Sequence, residues 1–377
     1  MYVRLFSLLL TCALALNSVD AAPRMRPVGV QEAPSASQSF NQNDEKSWFA
    51  YRPREIRDDQ LQAEYDRWKT RHLALCGDGS ADVRKEASEA VSEGTGYGLL
   101  LAVSMGDRAT FDRLLAGFQR RKNSSGMMSW RFALCGAALS QGAATDADLD
   151  IAMALVMADH KWGGYRGEAE GLISSIKRYA VTQCNGFLVL RPGDHWGACL
   201  DANDQRLNPS YFAPAYYREF SRYMPQNADF WLALAYDSYR LLNRYQQNLG
   251  GLLPDWAYVD GGMVGSYGYE ACRVPWRIAM DFAWHGQAEA QMVLQKMHDY
   301  VAARGGPEAA TDQKNSCFVG GLALTATAVN QDTTDSWYRL WLRGIPEAQD
   351  PMVGDNPYYQ GTLRVLYMLL AGSALKP

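Results

Sequence analysis

Histidine is scarce, charge is almost balanced, and no long apolar run occurs in this chain of 377 residues. The five histidines, His72, His160, His195, His285 and His298, stand far apart, and no Cys-x-x-Cys pair or zinc-spaced Cys/His cluster accompanies them, so no metal site is expected. With 37 Lys+Arg against 41 Asp+Glu the net charge is -4. That supplies neither the basic footprint nucleic acid requires nor a polybasic face for anionic lipid, so neither partner is expected. The apolar run from Leu5 to Leu16 falls short of the ~18 residues a membrane helix needs. The Gly-x-Ser-x-Gly elbow of serine hydrolases and the phosphate-cradling loop of nucleotide enzymes are both missing. Gly94 and Gly96 are not followed by the third glycine of a dinucleotide site. No cofactor is expected.

What the chain does contain is rings: 11 Trp, 21 Tyr and 12 Phe, or 12% of all residues. Flat apolar faces with polar rims suit stacking on sugars, although most aromatic residues in any protein serve the core.

Residues 1–22 read as a secretory signal, in which Arg4 precedes the apolar run and Ala21 and Ala22 suit cleavage. Residues 23–47 are rich in Pro, Ser, Gln and Asn and read as a flexible leader. Residues 48–377 read as one domain, and the expected localisation is secreted, extracellular or periplasmic. Removal of residues 1–22 takes Cys12 and leaves Cys76, Cys135, Cys184, Cys199, Cys272 and Cys317, which an oxidising compartment permits to pair. Cys184 and Cys199 bracket a short Gly/Pro-containing stretch and are the one pairing the sequence suggests. Buried free thiols are the alternative.

Helical spacing of apolar residues recurs after residue 48. It marks Leu61, Tyr65, Trp68 and Leu73; Tyr97, Leu100, Leu101 and Met105; Phe111, Leu114, Leu115 and Phe118; Ile151, Leu155, Ala158 and Trp162; and Leu172, Ile176 and Tyr179. Further helices are predicted near 209–223, 227–247, 275–285, 287–303, 315–330, 334–343 and 357–372, about twelve in all. Strand-like alternation is confined to short pieces such as Phe187–Leu190. No repeat of fixed period appears, which argues against an α-solenoid and leaves an all-α domain such as a closed double ring of helical hairpins.

Three segments place acids where a helix core would not want them. In Val91–Gly98, three glycines within five residues imply a tight approach of backbone to a neighbour, and Glu93 falls in the first turn of a helix. There it either complements the helix dipole or serves as an acid in a partly desolvated cleft, with a pKa raised enough to donate a proton near neutrality. Asp146, Asp148 and Asp150 alternate ahead of Met153–Trp162. Thr145 or Asp146 can cap that helix, but Asp146 and Asp150 at i and i+4 repel, so something on that face must use them. Calcium is not expected, because the Gly and Glu of an EF-hand loop are missing. In Ser266–Arg277, Glu270 and Arg273 can pair, and Pro275 suits the first turn of a helix. Separated carboxylates with many aromatics suit glycosidic bond hydrolysis: one acid protonates the leaving oxygen while a second carboxylate activates water or attacks the sugar.

These segments resemble a known family. Ala144–Trp162 is similar at every defining position to the signature of family-8 glycoside hydrolases, the family of bacterial secreted endoglucanases. Ser92–Gly98, Met128-Ser129-Trp130-Arg131, Asn208-Pro209-Ser210-Tyr211-Phe212, Arg273–Arg277 and Tyr358-Tyr359 also have counterparts there, so the resemblance covers nearly the whole domain. It implies an (α/α)6 barrel of six inner and six outer helices with the sugar cleft across one end. It implies that Glu93 is the proton donor and that Asp146, at the centre of the cleft, holds and distorts the sugar at the cleavage point. Family members invert the anomeric carbon, which requires a second carboxylate about 6.5–9.5 Å from the acid, with water between. In the best-known subgroup that base is an aspartate two residues before the cysteine of a YDACRxPWR-like run, whereas this chain has Glu270 there, one methylene longer. Glu270 is the expected base. Otherwise it is a substrate ligand, and Asp146 or a loop acid, as in the chitosan-cleaving subgroup, takes the role. Trp130, Tyr211 and Tyr269 match sugar-contacting positions, Arg273 supports the catalytic centre, and Tyr358 matches a loosely placed family tyrosine. Trp196, inside Asp194-His195-Trp196-Gly197, is added as a stacking platform, with core packing the alternative.

The expected activity is that of a secreted endo-β-1,4-glucanase, acting as a monomer on soluble or amorphous cellulose or mixed-linkage glucan. Poor activity on crystalline cellulose is expected, since no carbohydrate-binding module follows the domain. Chitosan or xylan hydrolysis is the alternative within the family, and a glycan-binding protein with a lost base is the alternative outside enzymes.

Overall fold

Two kinds of helix alternate along the chain. A computed structural model describes residues 48–200, 204–344 and 356–377. The expected signal peptide and leader, residues 1–47, lie outside the described residues. In order the helices are α1 (Asp58–His72), α2 (Ser92–Ser104), α3 (Arg108–Gln119), α4 (Thr145–Trp162), α5 (Arg166–Tyr179), α6 (Pro214–Tyr223), α7 (Ala228–Gln246), α8 (Val274–His285), α9 (Ala288–Ala302), α10 (Gly321–Leu324), α11 (Gln331–Gly344) and α12 (Pro357–Ala371). The odd-numbered helices bury one stripe, as α5 does with Ala169, Leu172, Ile173 and Ile176. The even-numbered ones are buried almost all round. Every residue of α4 from Thr145 to Ala158 is buried, and so is every residue of α12 from Tyr358 to Ala371.

This division follows from packing partners. Helix α2 packs on α4, α4 on α6, α6 on α8, α8 on α10, α10 on α12, and α12 returns to α2. Each odd helix covers one even helix from outside: α3 on α2, α5 on α4, α7 on α6, α9 on α8, α11 on α10 and α1 on α12. An element with neighbours on all sides reads apolar around its whole circumference, whereas a covering helix needs only one apolar face. The close approach of α2 to α4 depends on Gly96, where a Cβ would lie 2.8 Å from Cβ of Asp150 and 3.0 Å from the Ala147 carbonyl. That contact accounts for one glycine of the cluster that the sequence singled out.

The predicted 315–330 helix is a composite of a π turn (Ser316–Gly320), α10 and a 3-10 turn (Thr325–Ala328). Strands are more numerous than the alternation pattern indicated. Nine occur among the described residues, each two to four residues long: β1 (Leu73–Leu75), β2 (Ala81–Val83), β3 (Glu89–Val91), β4 (Arg131–Ala133), β5 (Val181–Cys184), β6 (Phe187–Leu190), β7 (Arg206–Leu207), β8 (Trp256–Tyr258) and β9 (Met263–Val264). All pair antiparallel, as β1-β2, β3-β4, β5-β6 and β7-β8-β9. Phe187–Leu190 is a strand as its alternation indicated, while the other pieces carry too few alternations to register in a sequence.

Cys184 and Cys199 are bonded, as are Cys76 with Cys135 and Cys272 with Cys317. The free-thiol alternative is therefore corrected: all six cysteines are spent in bridges. The capping expectation at α4 is corrected as well. Ala144 is the N-cap residue and offers no side-chain bond, while the Thr145 hydroxyl donates to the Arg191 carbonyl at 2.6 Å and ties the helix start to the residue after β6. No helix among the described residues is long and apolar enough to cross a membrane.

Candidate active site

The N-terminal ends of α2, α4, α8 and α12 converge on one cavity of about 340 Å3. Strand β3 runs straight into α2, and its antiparallel register with β4 sets Val91 opposite Arg131. The Ser92 amide donates to the Trp130 carbonyl at 3.0 Å, so the pairing places the Trp130 ring beside the helix turn that carries Glu93. Asp148 steadies the same segment from α4 by accepting from the Met128 amide at 2.8 Å. At Gly94 a Cβ would lie 3.0 Å from the Tyr358 hydroxyl. Without a side chain there, Tyr358 reaches past the backbone and donates to Glu93 Oε1 at 3.0 Å.

Arg273, the residue before α8, is the centre of the site and is almost wholly buried. Its Nη1 donates to Glu93 Oε2 at 3.0 Å and to Asp146 Oδ2 at 2.8 Å, and its Nη2 contacts Glu270 Oε2. One guanidinium thus holds three carboxylates, and a single positive charge does not neutralise them. The imbalance is relieved at Glu93. Burial, reinforced by Asp146 and Glu270, outweighs the opposing pull of Arg273 and the Tyr358 hydrogen bond, and pushes the Glu93 carboxyl from 4.5 up to about 7. Glu270 is the most open of the three, with 33% of its side chain exposed against 21% for Glu93 and 3% for Asp146. The Asn208 amide donates to Glu270 Oε2 at 2.9 Å and fixes the orientation of that carboxylate.

Of the nine residues singled out from the sequence, eight line this cavity: Glu93, Asp146, Glu270, Trp130, Tyr211, Tyr269, Arg273 and Tyr358. Trp130 and Tyr269 are its open rings, 42% and 41% exposed, and Tyr211 lies under Arg273 with the guanidinium 5.4 Å from the ring centre. Trp196 does not line the cavity. Its ring packs 5.8 Å from that of Trp256, with Arg206 over both.

The three alternating aspartates of α4 each have a separate use. Asp146 serves Arg273, Asp148 the Met128 amide, and Asp150 a buried pair with Arg277 on α8. The i,i+4 repulsion between Asp146 and Asp150 is therefore offset by two arginines with the same spacing.

Sequence reasoning missed Lys85 and Asn356 in the cavity wall and the Asp255 carboxylate behind the Glu270 backbone. A lone acid in a Pro/Gly-rich loop carries no spacing signal. A larger cavity, about 630 Å3, lies at the C-terminal ends of α2, α4 and α12, where Ser104, His160, Lys161 and Ser373 line it, away from the three acids. Among the described residues, the one cluster with metal-type ligands, Cys76, Asp82 and Cys135, is committed elsewhere: the cysteines form a disulfide and Asp82 pairs with Arg121.

The chain matches the profile of the glycosyl hydrolases family 8 over residues 45–373. It is 33% identical over 332 residues to Endoglucanase 2 of Ruminiclostridium josui, covering 82% of this chain and 70% of that one. It is also 33% identical over 360 residues to Endoglucanase A of Acetivibrio thermocellus, covering 85% and 72%. Among solved structures, the apo form of a β-1,3-1,4-glucanase from Paenibacillus sp. X4 superposes with a TM-score of 0.75 at 23% identity, over 87% of this chain and 97% of that one, a likeness of fold.

Proposed function

The chain belongs to glycosyl hydrolases family 8, and from that premise we infer that it cleaves internal β-1,4-glucosidic bonds of cellulose-type or mixed-linkage glucans, inverting the anomeric carbon. It is a glycoside hydrolase, and its relatives at this level of identity are endoglucanases. In this reading Glu93 is the general acid, Glu270 the general base, and Asp146 the carboxylate at the central sugar. Trp130, Tyr211, Tyr269 and Tyr358 bind substrate, with Trp196 as an outlying platform beyond the cavity.

The observation that carries this reading is the contrast between two carboxylates on one guanidinium. Glu93, desolvated and held at about 7, retains its proton near neutrality. Glu270 is open to solvent, held as an acceptor by Arg273 and Asn208. Glu93 gives its proton to the glycosidic oxygen as that bond breaks. A water on the opposite face of the sugar attacks the anomeric carbon and loses its proton to Glu270. Glu93 then ends ionised and Glu270 protonated, and one proton exchanged with solvent resets both.

The alternation of enclosed and covering helices, closing from α12 back to α2, supports an (α/α)6 barrel as the architecture. Three disulfides and the basic, apolar and small residues of 1–22 support export through a signal peptide.

Proton NMR of products released from mixed-linkage β-glucan tests the reading. The α-anomer is expected first; initial release of the β-anomer would overturn inversion, and no turnover on glucan, xylan or chitosan would leave a binding protein. Glu93→Gln is expected to lower kcat on carboxymethylcellulose about 10²–10⁴-fold, the usual range for loss of a general acid.

A further inference from the structure

We propose that Asp255 is a positioning residue that sets the backbone of Glu270, a role that rests on Glu270 being the base. Asp255 does not line the cavity, so it acts through its neighbours. Its Oδ1 accepts three backbone N–H groups from the Glu270 loop: Gly268 at 3.0 Å, Glu270 at 3.0 Å and Ala271 at 2.9 Å. Three charge-assisted bonds converging on one oxygen hold a loop far more tightly than separate weak contacts would. A Cβ at position 268 would collide with Asp255 Oδ2, so the glycine there is what allows the carboxylate to come so close. From the other side the Tyr359 hydroxyl donates to the Tyr269 carbonyl at 2.7 Å.

The support is rigid because it is built on a sheet. Leu207 of β7 pairs with Ala257 of β8, which brings Asn208, one residue past β7, near Asp255, one residue before β8. Asn208 holds the Glu270 carboxylate while Asp255 holds its backbone. Backbone and carboxylate of the same residue are thus fixed from one end of one small sheet. A base must stand within hydrogen-bond reach of the water it activates, and about an ångström of misplacement costs on the order of 10²-fold in rate.

The test compares Asp255→Ala, Asp255→Glu and Asp255→Asn with wild type and Glu270→Gln on soluble mixed-linkage glucan, with thermal unfolding measured for each. Asp255→Ala and Asp255→Glu are expected to lower kcat about 30- to 100-fold with KM within about twofold, since the oxygen is removed or displaced by a methylene. Asp255→Asn keeps an acceptor oxygen in place and is expected to retain kcat within about fivefold. The double variant Asp255→Ala/Glu270→Gln is expected to be no slower than Glu270→Gln alone, because the first residue acts only through the second. Wild-type kcat in Asp255→Ala, a rise in KM alone, or an additive double variant would each overturn the proposal. Should Asp255→Ala fail to fold, Asp255→Glu decides by the same constants. Should Glu270→Gln prove as active as wild type, the base assignment itself falls, an outcome distinct from a silent Asp255 beside an inactive Glu270→Gln.

Discussion

Arg277 and Asp150 form a fully buried two-point ion pair, at 2.5 and 2.8 Å, one helical turn beyond the pair of Arg273 with Asp146. Tyr216 completes it by donating to Asp150 Oδ1 at 2.9 Å. The two pairs stitch α4 to α8. The outer one opens into the cavity and the inner one is sealed in the core, so the same residue types have different consequences.

Asp150→Asn leaves the Arg277 guanidinium buried without its counter-charge and is expected to cost about 3–5 kcal/mol of stability. Urea unfolding checks this. Asp146→Asn, whose partner Arg273 keeps Glu93 and Glu270, should cost distinctly less stability and far more activity.

The pH dependence follows from Glu93. Its carboxyl is raised to about 7, so the proton-donating form is lost as pH climbs through that value. The alkaline limb of kcat/KM is expected near pH 7. Asp146 helps raise Glu93, so in Asp146→Asn the residual activity should show that limb moved to lower pH. A limb that stays in place would refute the coupling.

Stability carries the same titration. A folded-state pKa above the ordinary 4.5 means the native state loses stability between about pH 4.5 and 7, by roughly 3–4 kcal/mol, and is level beyond. Glu93→Gln, which has no such charge to bury, should gain on the wild type as pH rises through that window, as thermal unfolding at pH 5 and pH 8 would reveal.

Trp130 is 42% exposed in the cavity wall, so truncating it empties no core. Trp130→Ala is expected to raise KM on cello-oligosaccharides about three- to tenfold, the equivalent of ~0.5–1.5 kcal/mol of ring contact. Its melting temperature should be unchanged.

Cys272 stands between Glu270 and Arg273 and ties them to Cys317 in the π turn. Replacing both cysteines by serine is expected to cost about 2–4 kcal/mol and to lower kcat as well. The same change at Cys184 and Cys199, neither of which lines the cavity, should cost stability alone.

The covering helices were legible because burial of one face imposes a 3.6-residue pattern, as in α3 and α5. The enclosed α2, α4 and α12 are apolar nearly all round, and the glycines of 94–98 announced a close approach. Of the nine short strands, β6 at Phe187–Leu190 showed its alternation, and the others are too brief to do so. Asp255 was hidden for a different reason: its value lies in three backbone amides some thirteen to sixteen residues away, and backbone amides have no sequence signature. Trp196 shows the converse limit, since a tryptophan in such a loop reads the same whether or not it lines the cavity.

By itself the sequence determined a helix-rich chain of about twelve helices, and the motifs of α2, α4 and the Arg273 segment singled out three acids, because residue types and spacings are local quantities. Only the tertiary structure decided that Glu93, Asp146 and Glu270 share one guanidinium, and that burial, reinforced by the two neighbouring acids, raises the Glu93 carboxyl to about 7. Desolvation and charge proximity act through space between carboxyls 53 to 177 positions apart, and no local pattern of residues encodes them.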